Sequence, residues 1–164
     1  MGGTIAAMPI LHRIEALLTG VPHQRIEHDP ISSSEDAARL RGTPLAIGGK
    51  SLVMKVGGLF AVFVISAARR SQGRLIRRHF GASRLRFATH EELLSLTGLT
   101  PGCVPPFGPP VFELPLYVEQ SIIDNERIAF SAGSHTISMV MTVPDYLAIA
   151  RPTAVFAFSQ EAAR

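Results

Sequence analysis

Apolar residues recur along this chain in two rhythms, one helical and one extended. Ile10, Leu11, Ile14, Leu17 and Leu18 keep helical spacing after Pro9, and Gly20 with Pro22 closes the segment, which predicts a helix over 9–19. Residues 24–28 read as a short strand. Ser32 with Glu35 spells a capping box, and Ser33 with Asp36 spells another one residue on; the helix they open runs through Ala37, Ala38 and Leu40 to Gly42. Residues 51–56 and 59–65 are β-rich runs around Gly57-Gly58, the pattern of a hairpin. A basic helix is predicted over 71–80, closed by Gly81, then a short strand over 85–88. Thr89 with Glu92 caps a helix over 91–96 that Gly98 stops. Residues 112–118, 127–131 and 136–142 read as strands, 144–150 as a short helix and 153–158 as a last strand. Runs of strands punctuated by short helices predict an α+β fold: a mostly antiparallel mixed sheet or barrel with short flanking helices.

Composition narrows the class. The chain has 164 residues, 46% hydrophobic and 18% charged, which suits one globular domain over 1–164. Cys103 is the sole cysteine, so an intrachain disulfide and a cysteine-rich metal site are excluded. No apolar run approaches the ~18 residues that cross a bilayer. Residues 1–8 carry no basic segment and no cleavage pattern, so a secretory signal is not expected and a cytoplasmic location is.

Charge is segregated. Between Asp36 and Glu91 there is no acidic residue, and that gap holds 11 of the 16 basic ones, among them Lys50, Arg69, Arg70, Arg74, Arg77 and Arg78. The rest of the chain carries 5 basic and 13 acidic residues. An uninterrupted cationic segment suits a polyanionic partner, because phosphates attract Lys and Arg and release counterions on binding. The plain alternative is a solvated basic surface.

Residues 98–110 are the stiffest stretch: eight of the thirteen are Gly or Pro. Such a loop can fix backbone N–H groups towards a carbonyl or oxyanion, and equally it can be a structural turn. Lys50 follows Gly48-Gly49 at the entry to an apolar strand, where a lysine can hold a phosphate as a point cation or simply face solvent. His135 and His28 sit at strand ends, as pocket hydrogen-bonding groups, general bases or structural residues. The histidine spacings match no zinc motif, and there is no G-x-S-x-G elbow, phosphate-binding P-loop or dinucleotide fingerprint. Nothing near Cys103 lowers its pKa towards a nucleophile.

In order and spacing the pieces resemble the YbaK-type aminoacyl-tRNA deacylase family, which also supplies the editing domain of bacterial prolyl-tRNA synthetases. The resemblance runs from about Arg25 to about Ala150. It is carried by Ile26-Glu27-His28-Asp29-Pro30, Ser34-Glu35-Asp36-Ala37-Ala38, Gly49-Lys50-Ser51-Leu52-Val53, Thr97-Gly98, Gly102 with Pro105-Pro106-Phe107-Gly108, Ala132-Gly133-Ser134 and Pro144-Asp145-Tyr146-Leu147. It implies hydrolysis of the ester of mischarged aminoacyl-tRNA in trans, with no metal, no cofactor and no covalent nucleophile. It implies that Lys50 is the key residue, at the phosphate or ribose of the terminal adenosine. It implies that the loop from Gly102 to Gly108 faces the ester carbonyl, and that the water is oriented by backbone and by the substrate's ribose hydroxyl. Lys50 and Gly102 are then the catalytic candidates. Substrate contacts fall to His28, Ser51, Pro106, Phe107, Gly108, Gly133, Ser134 and His135, and tRNA contacts to Arg69, Arg70, Arg74, Arg77 and Arg78. The implied partners are the acceptor end of an aminoacyl-tRNA and an aminoacyl-tRNA synthetase, with no membrane. Relatives carry an Ile-Asp pair where this chain has Val118-Glu119, and cysteine-selective relatives an acid where it has Ser138. His135, at the place of a histidine in alanine-selective relatives, points to a small amino acid such as Ala or Ser, while Ser138 argues against a preference for Cys; the ester expected is that of a small amino acid, Ala, Ser or Cys. The alternative is a non-catalytic tRNA- or nucleotide-binding module of the same fold.

Overall fold

The computed structural model describes residues 9–162. The order of elements is α1 (Ile10–Leu17), β1 (Gln24–Glu27), α2 (Ser34–Arg41), a 3-10 turn (Leu45–Ile47), β2 (Gly49–Val56), β3 (Leu59–Ser66), β4 (Arg69–Ser71), α3 (Gly73–Phe80), β5 (Leu85–Phe87) and α4 (His90–Thr97). After the long loop come β6 (Leu116–Glu119), α5 (Gln120–Ile123), β7 (Arg127–Ser131), β8 (Ile137–Thr142), α6 (Val143–Ala150), β9 (Ala154–Phe156) and β10 (Ser159–Glu161). The main sheet has the order β5-β2-β3-β6-β9, and a second sheet the order β1-β8-β7.

The hairpin β2–β3 is the backbone of the main sheet, with Gly57 in the left-handed region at φ +58° to make its turn. β3 lies inside the sheet, and its apolar residues alternate between two cores. Val62 and Val64 face one that contains α1, α6 and the second sheet, through Ile14, Phe130, Met139 and Tyr146. Ala61, Phe63 and Ile65 face the other, under α3 and the last strands, with Ile76, Tyr117 and Phe158.

The predicted class holds, as α+β with antiparallel and mixed sheets; among the described residues no sheet closes into a barrel. β6 pairs with β3 and β9 in parallel, so the main sheet is mixed. Of the two capping registers the second is used. The Ser33 side chain accepts from the Asp36 N–H at 3.0 Å, while the Asp36 carboxylate takes the N–H and hydroxyl of Ser32. The basic helix begins at Gly73 rather than residue 71, because residues 69–71 are drawn into β4 by pairing with β10. The strand expected over 112–118 shrinks to β6, since residues 105–115 complete the loop. The reading of residues 1–8 lies outside the described residues.

Candidate active site

One cavity of about 540 Å³ opens where the two sheets meet α2, α4 and the long loop. Its wall is built from the start of β2 (Gly49, Lys50, Ser51, Leu52, Val53), from the segment leading into α2 and its end (Ile31, Ser32, Ser33, Ser34, Ala37, Arg41), from Phe87, Ala88, His90 and Leu93, from Pro101, Gly102 and Val104, and from Ser131 and His135. No Asp or Glu is among these residues. The cavity is therefore cationic, and it suits electron-rich groups.

Lys50 is half-buried at the start of β2, paired in register with Ile65 of β3. Burial holds its pKa below the ordinary lysine value; the like charge of Arg70 pushes the same way and Glu35 opposes. The loop enters the wall through its first half. Gly102 is exposed, with φ +88°, and its N–H meets no protein acceptor among the described residues. A Cβ there would lie 3.4 Å from His135 Cε1, so loop and imidazole are in contact. The His135 ring also reaches Thr100 Oγ1 from Nε2 at 3.3 Å.

The second half of the loop is core. Pro106, Phe107 and Gly108 are buried and absent from the cavity wall. Phe107 meets Phe130 and Tyr146 edge-on, and the fully buried Tyr146 hydroxyl donates to the Pro106 carbonyl at 2.6 Å. At Gly108 a Cβ would stand 2.7 Å from the Leu114 carbonyl oxygen. These three residues therefore shape the loop from behind.

Gly133 and Ser134 also act behind the wall. The Gly133 N–H donates to the Cys103 carbonyl at 3.1 Å, and Ser134 Oγ accepts from the Thr136 N–H at 3.1 Å. His28 lies outside the cavity wall and bonds Ser138 Oγ through Nε2 at 2.7 Å. Ser51 lines the cavity, and its buried hydroxyl has no hydrogen-bond partner among the described residues. Cys103 is buried, and burial pushes its thiol pKa up, the wrong direction for a nucleophile.

Arg41 carried no motif, yet it is the second cation of the cavity. It closes α2, its Nε donates to Ser138 Oγ at 2.8 Å and its Nη2 to Ser131 Oγ at 3.1 Å. The signal available in the sequence was its place at the end of a capped helix inside the acid-free segment.

The cationic surface is only partly free. Arg69 donates to Ser159 Oγ at 2.6 Å across the β4–β10 pair. Arg70, Arg74 and Arg78 are exposed and Arg77 half-buried, and among the described residues none of the four has a carboxylate within 4.0 Å. No helix of the described residues is long and apolar enough to cross a membrane, and no group of three His, Cys, Asp or Glu among them is placed to hold a metal ion.

A mixed sheet whose hairpin lysine and glycine loop open into one cavity defines a class, and the comparisons agree with it. The family model for the aminoacyl-tRNA editing domain matches residues 28–149, and the chain belongs to that family. Among individual proteins, it is 32% identical over 153 residues to the multifunctional Ser/Thr-tRNA deacylase ProXp-y of Escherichia coli (strain K12), covering 87% of this chain and 89% of that one. It is 23% identical over 122 residues to a proline–tRNA ligase of Staphylococcus aureus (strain Newman), of which the match spans 21%. The fold matches a crystal structure described as "a putative trans-editing enzyme for prolyl tRNA synthetase", with TM-score 0.79 and 24% identity, over 94% of this chain and 99% of that one.

Proposed function

We propose that this protein is an aminoacyl-tRNA deacylase that acts in trans, hydrolysing the ester of a small amino acid, with Ser and Thr ahead of Ala and Cys. The observation that carries the reading is the meeting of Lys50 and the free N–H of Gly102 in one acid-free cavity. The family match supports the reaction class, and the Ser/Thr-tRNA deacylase supports the choice of amino acid.

An aminoacyl ester is activated, so positioning and oxyanion stabilisation can supply the catalysis without a nucleophilic side chain. Lys50 holds the phosphate or ribose of the terminal adenosine as a point cation. The Gly102 N–H then meets the carbonyl oxygen as negative charge develops on it. Water adds to the acyl carbon, the acyl–oxygen bond breaks, and the proton the water loses balances the one the ribose oxygen gains. The products are the free amino acid and uncharged tRNA. Arg70, Arg74, Arg77 and Arg78 offer phosphate contacts for the acceptor stem. Editing is needed where amino acids differ little, since one methylene in a pocket discriminates by only ~1–3 kcal/mol.

The test is to follow ester loss from tRNA charged with Ser, Thr, Ala or Cys. Release of Ser and Thr above the buffer rate is expected. If every ester survives while the tRNA still binds, the protein is a binding module of the same fold.

A further inference from the structure

Arg41 is a cation with no ion-pair partner among the described residues. Its side chain is half-buried in the cavity wall, and among the described residues no carboxylate lies within 4.0 Å of it. A guanidinium has five N–H donors. Two are used, Nε on Ser138 Oγ and one of Nη2 on Ser131 Oγ; Nη1 meets no acceptor among the described residues. Burial pushes the guanidinium pKa down to about 10. A purely structural staple between α2 and two serines would be made more cheaply by a neutral side chain, because a charge taken from water needs compensation.

The cavity wall beside it is built from small residues. Gly48, Ala37 and Ala67 share the cavity wall with Arg41. A Cβ on Gly48 would stand 3.0 Å from the Ala67 Cβ and 3.9 Å from Arg41 Nη1. The two serines fix the plane of the guanidinium, which pre-organises the remaining donors. Ser131 and Ser138 are buried, and the Ser138 hydroxyl is held from its other side by His28.

From this geometry we infer that Arg41 is a specificity-determining residue, donating from its guanidinium to the side-chain hydroxyl of the bound aminoacyl group. The inference rests on the deacylase reading above and deepens it. The positive charge sets the orientation as well. It repels the substrate's α-ammonium group, so the side chain rather than the amino group is turned towards Arg41. An alanyl group offers no acceptor and leaves the donors unpaired in the cavity, the situation that discriminates strongly between substrates.

The experiment compares kcat/KM for Ser-, Thr- and Ala-charged tRNA in wild type, Arg41→Met, Arg41→Lys and Ser138→Ala, with a thermal melt of each. Arg41→Met is expected to lower the Ser/Ala ratio about tenfold or more, mainly by slowing Ser and Thr. Arg41→Lys keeps the charge but loses the fork, and should fall between. Ser138→Ala removes one support of the guanidinium, together with the His28 bond to the same hydroxyl, and should shift the ratio the same way, so it carries the test if Arg41→Met does not fold. If the variants slow all three esters by one factor along with a lowered melting temperature, Arg41 is a structural staple and the inference is overturned. If wild type releases no amino acid, the deacylase reading itself fails and takes this one with it.

Discussion

The wall of the cavity that carries Lys50 and the wall formed by residues 101–104 are held in place by different physics. Lys50 stands on a strand fixed along its whole length by the β2–β3 ladder, so its charge can be removed without disturbing the scaffold. The loop wall has no ladder. It depends on the left-handed Gly102, on the Gly133 bond to the Cys103 carbonyl, and on a buried second half pinned by Tyr146. One wall separates chemistry from stability and the other joins them.

Lys50→Ala breaks the comparison most sharply. Deacylation should fall by at least about a hundredfold, as for loss of an essential electrostatic contact, with unfolding free energy unchanged to about 0.5 kcal/mol. A folded variant that keeps its turnover would make Lys50 an ordinary surface cation. Gly102→Ala comes next. A side chain at φ +88° costs roughly 1–2 kcal/mol, and displacement of the N–H should slow turnover about tenfold or more. Stability and rate should fall together, which urea unfolding beside kinetics will show.

Tyr146→Phe tests the loop wall from behind. It leaves the buried Pro106 carbonyl unpaired, a loss of about 1–3 kcal/mol, with a smaller loss of rate than Gly102→Ala. Unchanged stability would mean that the loop is held without that bond.

The smallest effect is on pH. If protonated Lys50 is the working form, activity corrected for spontaneous ester hydrolysis is full at neutral pH. It should fall on the alkaline side at a midpoint below the ordinary lysine value of about 10.4. Removing the like charge with Arg70→Gln should raise that midpoint, and removing the attractive charge with Glu35→Gln should lower it. Identical profiles in all three proteins would detach the alkaline limb from Lys50.

The two walls also differ in how far the sequence revealed them. The loop announces itself through eight Gly and Pro residues, and Lys50 through the Gly-Gly before it, because both signals are local. Which half of the loop faces the cavity is decided by long-range packing: Phe107 looks like a ligand contact in sequence and is a core residue because Phe130 and Tyr146 surround it. Arg41 is illegible for the same reason. Its partners Ser131 and Ser138 lie 90 and 97 residues away, and only the fold of α2 onto β7 and β8 brings them together. Strands β4 and β10 escape notice because each has three residues and exists only by pairing with the other.

Glu119 shows how the end of the described chain is tied in. Its carboxylate is buried at the end of β6, taking the Ser121 N–H at 2.7 Å on one oxygen and the Phe158 N–H at 3.2 Å on the other. The last strands therefore close over a negative charge that needs them. Trimming the chain before Phe158 would strip that charge of one donor and uncover it to solvent, while also opening the core beneath α3. The tail behaves as a plug, and limited proteolysis there should unseat a whole face of the sheet rather than shorten a loose end.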